Sequence, residues 1–303
     1  MIITAILTAL VSACLGWGRM PPGPLVLLSV GLGLLLGLLG RHEHGGALSI
    51  DALAQRSSLG GVNAVLKFWG SLALLLLCVL SASALPGLAL VLLMGVLTVR
   101  GGRVPLHDYL SLLALPAAFL LISALALLWS WGDSPAGVLN IPLFGGWLSV
   151  SPAAQARTAL VICKALGAVS CLYLLSLSTP MAEIIAVLRR AHVPALAVEL
   201  MYLIYRYIFI LLDMHRTMHD AAQSRLGYDG FRLSVRTTGS IYANLLARSF
   251  KRAGACFDAM ESRCYDGEIR FLEREKPVLP VHAAAAAGLL ILTFGLSLLT
   301  FQI

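Results

Sequence analysis

Two nine-residue stretches hold the residues best suited to recognition. One runs Ala222-Gln223-Ser224-Arg225-Leu226-Gly227-Tyr228-Asp229-Gly230, the other Ala259-Met260-Glu261-Ser262-Arg263-Cys264-Tyr265-Asp266-Gly267. Aligned on arginine, both read Ser-Arg-x, then an aromatic residue and Asp-Gly. The planar arginine fork donates several hydrogen bonds to carboxylates or carbonyls in fixed geometry. A single arginine near a helix C-terminus is explained by complementing the helix dipole. A matched pair, each followed by Asp-Gly, suits two equivalent acceptor grooves.

Other polar residues invite a metal or transport reading. His42-Glu43-His44 clusters in one loop, and His215 and His219 fall at i, i+4 on a helix face, a spacing able to hold a divalent ion. Polar loops and solvated helix faces also carry histidine routinely, so these are secondary candidates. Lys164 lies in an apolar run, where a charge either serves function or snorkels from a helix end. Cys14, Cys78, Cys163, Cys171, Cys256 and Cys264 form no CxxC pair and no Cys/His grouping of zinc spacing. No disulfide framework or structural metal is expected. There is no GxxxxGK[ST] and no Ser/His/Asp arrangement in recognisable context. Neither enzymatic chemistry nor a cofactor in this chain is expected.

The elements that position these residues are set by composition. Of 303 residues, 59% are hydrophobic and 12% charged, with a mean hydropathy of +0.87. A soluble domain carries roughly 25% charged residues, so lipid must solvate much of this chain. The net charge of +7 does not signal nucleic acid. Of 22 Lys and Arg, 14 lie between Glu183 and Lys276, beside 11 of the 15 acids. Such a segment is nearly balanced, as expected of a solvated cytoplasmic face.

Apolar runs near the bilayer-spanning length of about 20 residues predict seven spans: Met1–Trp17, Pro24–Gly40, Ala64–Leu80, Ala84–Val99, Tyr109–Trp131, Thr158–Ser178 and Val281–Thr300. The stretch from Gly132 to Ala156, rich in Gly, Pro and Ser, reads as a loop. With 181–280 inside, the inner linkers hold Arg41, Arg56, Arg100 and Arg103, while the outer ones hold Arg19. The positive-inside rule then places the N-terminus in and the C-terminus out. The first run lacks the basic start and clear cleavage site of a signal peptide, which favours a retained helix.

Between 181 and 280 two long helices are predicted, from Leu196 to about Arg225 and from Phe231 to about Tyr265. Both read as too polar to span and too apolar to stand free in water. They should lie against the membrane face and be offered to a partner. The expected fold is therefore all-α and polytopic. Its parts are an extra N-terminal hairpin (1–45), a transmembrane core (46–180), cytoplasmic coupling helices (181–276) and a terminal transmembrane helix (277–303).

Thr179-Pro180, Leu188-Arg189-Arg190, Val193-Pro194, Tyr205-Arg206-Tyr207 and the two Ser-Arg motifs together resemble the T component of energy-coupling-factor transporters, most closely the CbiQ group serving cobalt or nickel uptake. The resemblance covers about Ser49 to Thr300 and excludes the first hairpin. It implies that Ser224, Arg225, Leu226 and Ser262, Arg263, Cys264 stand at the family's two Ala-Arg-Gly-like motifs, which dock into grooves on two ATP-binding subunits. Serine here replaces alanine, and Leu226 and Cys264 replace glycine. The implied partners are two CbiO-like ATPases, which bind the ATP and Mg, a CbiM-like substrate-binding membrane subunit, and the bilayer. The extra hairpin suits either contact with a small accessory subunit or simple anchoring. The implied location is the bacterial cytoplasmic membrane. A self-sufficient secondary transporter is the rival reading. It would need paired acids or interrupted helices at the bilayer midplane, and the spans hold no acid and, away from their first turn, only Lys164.

Overall fold

The computed structural model describes residues 2–16, 29–31, 51, 53–132, 139–143, 146–267, 269 and 276–301. In chain order the helices are α1 (Ile2–Gly16), α2 (Ala64–Leu80), α3 (Leu85–Val96), α4 (Leu106–Leu128), α5 (Pro152–Ser178), α6 (Met181–Arg190), α7 (Ala195–Gln223), α8 (Phe231–Glu261) and α9 (Pro280–Phe301). A 3₁₀ turn at Ser58–Gly61 precedes α2, and a π segment, Leu97–Gly101, extends α3. Short polar residues start two of the apolar helices. Asn63 accepts a hydrogen bond from the Val65 amide at 2.8 Å, and Ser151, followed by Pro152, accepts one from Ala154 at 3.1 Å. That cap explains why α5 begins at Pro152, ahead of the expected Thr158.

The expected loop after Gly132 holds a small sheet. Strands β1 (Ser130–Gly132), β2 (Leu139–Leu143) and β3 (Gly146–Val150) pair antiparallel in the order β1-β3-β2, with Trp131 opposite Leu148 and Ile141 opposite Leu148 from the other side. Pro142 lies on an edge strand, where a missing donor costs the ladder least. Apart from this sheet, the described elements are helical.

Among the described residues, four helices are long and apolar enough to cross a membrane: Leu106–Leu128, Pro152–Ser178, Ala195–Gln223 and Pro280–Leu299. Ala64–Leu80 and Leu85–Gly101 are apolar but shorter. The expected run Pro24–Gly40 lies outside the described residues, apart from 29–31. Seven spans are thus not reached among the described residues. The sequence reading treats the first long cytoplasmic helix as too polar to span. By length and composition, α7 qualifies, because the charges of its last turns do not dilute the apolar run before them. Its observed bounds, Ala195–Gln223, and those of α8, Phe231–Glu261, stop short of the expected Arg225 and Tyr265.

By internal contacts the chain divides into two compact units, 1–180 with 275–303, and 181–274. In the first, Leu74, Cys78, Leu90, Met94 and Cys171 are buried together, with Leu289 and Leu290 of α9 against them. A second cluster joins Val11, Ala124, Leu128 and Val150. Helices α3 and α5 approach so closely that a Cβ on Gly87 would lie 2.6 Å from the Cys163 carbonyl oxygen. Outward, Leu80, Phe119 and Ile291 are largely exposed, as lipid-facing residues should be. Lys67, in the first turn of apolar α2, donates to the carbonyls of Leu59 (3.1 Å) and Ser178 (2.8 Å), and Lys276 donates to Gly60. The amine charges thereby satisfy carbonyls of the 3₁₀ turn and of the end of α5.

Candidate functional site

In the second unit α7 and α8 form an antiparallel pair. Glu199, near the start of α7, meets Tyr265, just beyond α8, whereas Gly227, just beyond α7, meets Thr237 in α8. Between these ends His215 stacks on Tyr242, with ring centroids 5.5 Å apart.

Each helix ends in the same backbone device. After α7, the Gly227 amide donates to the Ala222 carbonyl (2.9 Å) and the Leu226 amide to Gln223 (3.0 Å). After α8, Tyr265 donates to Met260 (3.1 Å) and Cys264 to Glu261 (3.0 Å). These are paired Schellman closures, in which the residue after the cap turns left-handed. Leu226 has φ 55° and Cys264 φ 60°. In both turns arginine occupies the cap position. Both serines bond back into the preceding turn, Ser224 to the Asp220 carbonyl (2.8 Å) and Ser262 to Ala259 (3.0 Å). The following glycines, Gly230 and Gly267, have φ 89° and 97°.

All six residues of the two motifs are exposed. Neither Arg225 nor Arg263 has an acidic partner within ion-pair distance among the described residues. The antiparallel pairing does not bring the arginines together; it sets them at opposite ends of the hairpin. The 31 residues of α8, at 1.5 Å rise each, separate them by about 45 Å.

Each turn is braced by the other helix. Thr237 of α8 donates to the Gly227 carbonyl at 2.7 Å. Glu199 of α7 accepts the Tyr265 hydroxyl at 3.1 Å and the Ile269 amide at 2.6 Å. Desolvation first, then the Glu199 carboxylate beside it, push the Tyr265 hydroxyl above its ordinary value of 10.0. Sequence reasoning missed both braces. A lone acid just ahead of the apolar run Leu200 to Leu212 was the available signal for Glu199.

The remaining candidates take other places. The His215 and His219 rings lie 6.1 Å apart, and each packs on a tyrosine, His219 on Tyr228 at 4.9 Å. Among the described residues no group of three or more His, Cys, Asp or Glu is placed to hold a metal ion. His42 and His44 lie outside the described residues. Lys164 donates to the Val79 carbonyl at 3.1 Å, at the C-terminal end of α2, where a cation is favoured. All six cysteines are free thiols.

Residues 55–274, more than half of the chain, match the CbiQ family, described as cobalt transport protein. The chain belongs to the CbiQ family. It is 31% identical over 184 residues to the CbiQ cobalt transport protein of Rhodobacter capsulatus, covering 61% of this chain and 70% of that one. An uncharacterised protein of Methanocaldococcus jannaschii is 30% identical over 224 residues, 74% of this chain and 83% of that one. A protein of Methanocorpusculum labreanum, described as a fused cobalt transport protein CbiMQ, is 30% identical over 251 residues; these are 82% of this chain but 41% of the fusion. The CbiQ match takes in both arginine turns and both braces. It leaves out α1 and also α9, which the sequence-based resemblance had included. With this family, and with four bilayer-length apolar helices among the described residues, the chain is a multi-pass membrane protein.

Proposed function

We propose that this CbiQ protein is the T component of an energy-coupling-factor importer for cobalt or nickel ions, a non-catalytic scaffold worked by separate ATPases. The observation that carries the reading is the twin cap: two exposed arginines, each presented by the same Schellman turn and each braced from the opposite helix. Such a pair suits two like grooves about 45 Å apart, a separation set by helix rise. Arginine supplies bidentate, oriented hydrogen bonds, and a long helix pair transmits displacement between its ends.

In this reading two CbiO-like subunits hold ATP and Mg, and their closure moves both arginines. The hairpin passes that movement to a CbiM-like membrane subunit, which releases the ion inward. The fused CbiMQ relative supports such a pairing. In this reading α7, although long and apolar enough to span, lies with the rest of 181–276 on the cytoplasmic side of the bacterial inner membrane, with the N-terminus in and the C-terminus out; the balance of basic linkers supports this.

Co-purification tests the reading. The wild-type chain should bring down an ATPase with its own nucleotide site, and the Arg225→Glu, Arg263→Glu double variant should not. Retention of the ATPase by the double variant would overturn the docking role.

A further inference from the structure

Helices α7 and α8 enclose a groove of ≈ 860 Å³, with Tyr202, Arg206 and Tyr207 on one wall and Arg252, Cys256 and Arg263 on the other. Among the described residues, three guanidinium groups therefore line one space, against the carboxylate of Asp266. None of the three arginines has a carboxylate within ion-pair distance among the described residues. The nearby acid Glu199 already accepts the Tyr265 hydroxyl and the Ile269 amide. Arg206 also interrupts the otherwise apolar run Leu200 to Leu212, and it lines the groove.

We propose that this groove binds a phosphate-bearing anion. A free phosphate ion offers about three strong acceptor oxygens and a charge near −2, and the phosphodiester of a lipid headgroup two such oxygens and one negative charge; arginine forks on both walls match either better than ammonium groups would. Arg206 and Arg252 supply the grip from opposite walls, and Arg263 stands at the end of α8. The space exceeds a bare phosphate ion, and the flanks of Tyr202, Tyr207 and Ile210 give an organic substituent an apolar wall. Phosphate of this kind reaches the groove either as the headgroup of an anionic lipid or as a free ion. The inference does not rest on ATPase docking, because Arg206 and Arg252 lie outside both cap turns.

The full-length chain in detergent is titrated with inorganic phosphate at constant ionic strength, and its thermal midpoint is followed. In parallel it is placed in phosphatidylcholine nanodiscs with and without phosphatidylglycerol, and retained lipid is read by native mass spectrometry. A saturable rise in midpoint, or selective retention of phosphatidylglycerol, is expected. Arg206→Gln and Arg252→Gln should each weaken it about tenfold, the loss of one charge-assisted hydrogen bond, while Arg236→Gln should leave it unchanged. Response to phosphate alone assigns a free ion; retention of lipid alone assigns a headgroup. Absence of both responses in the wild-type chain overturns the proposal, as does undiminished binding by the Arg206→Gln, Arg252→Gln double variant. That double variant should still capture the ATPase, so failure here is separable from failure of the coupling role.

Discussion

The Glu199 carboxylate accepts the Tyr265 hydroxyl at 3.1 Å, joining residues at the start of α7 and just past the end of α8. The turn that presents Arg263 is thus fixed by a side chain 64 positions away in sequence. A side chain held at both ends transmits force; a frayed helix end does not.

Glu199→Ala should free this turn. It removes the acceptor for one hydroxyl and one amide, and leaving such groups unpaired costs about 1–3 kcal/mol. Amide exchange should accelerate at 263–267 while the Arg225 turn keeps its protection. Equal acceleration at both turns would show that the brace is not local.

The same contact sets an alkaline limit. The folded Tyr265 hydroxyl titrates above its ordinary 10.0, so its contribution is complete below pH 10 and fades as pH rises through the raised value. Tyr265→Phe should remove this alkaline component from the stability profile of the second unit. A profile identical to wild type would refute the linkage.

Leu226 and Cys264 hold left-handed backbone at φ 55° and 60°, a conformation that costs an L-residue about 1–2 kcal/mol. Glycine relieves most of this at an entropic cost of about 0.5–1 kcal/mol. Leu226→Gly and Cys264→Gly should therefore raise the thermal midpoint slightly. Leu226→Val, β-branched at a positive φ, should lower it.

Gly87→Ala would set a methyl 2.6 Å from the Cys163 carbonyl oxygen, a backbone atom that cannot rotate aside. Helices α3 and α5 would have to separate, a loss of about 1–3 kcal/mol. Gly239, within α8, has open space where a Cβ would stand. Gly239→Ala should instead stabilise by up to about 1 kcal/mol, the helix propensity difference. Matched thermal melts in one detergent compare the two.

What the sequence settled by itself was local. Apolar run length marked the helix at 64–80 and, shifted by three residues, the one at 106–128, because backbone groups in lipid must pair within their own segment. The duplicated Ser-Arg and Asp-Gly signals marked both cap turns, because a helix stop is written in a few adjacent residues. The sheet at 130–150 stayed hidden, because its short strands sit among glycines and prolines and gain their pairing only across the ladder. The left-handed Leu226 and Cys264 were also hidden, since neither residue type announces that backbone. Only the tertiary structure paired α7 with α8, set Arg225 and Arg263 at opposite ends, and brought Thr237 to Gly227 and Glu199 to Tyr265. These are contacts between residues distant in the chain, and no local pattern encodes which distant partner a side chain meets.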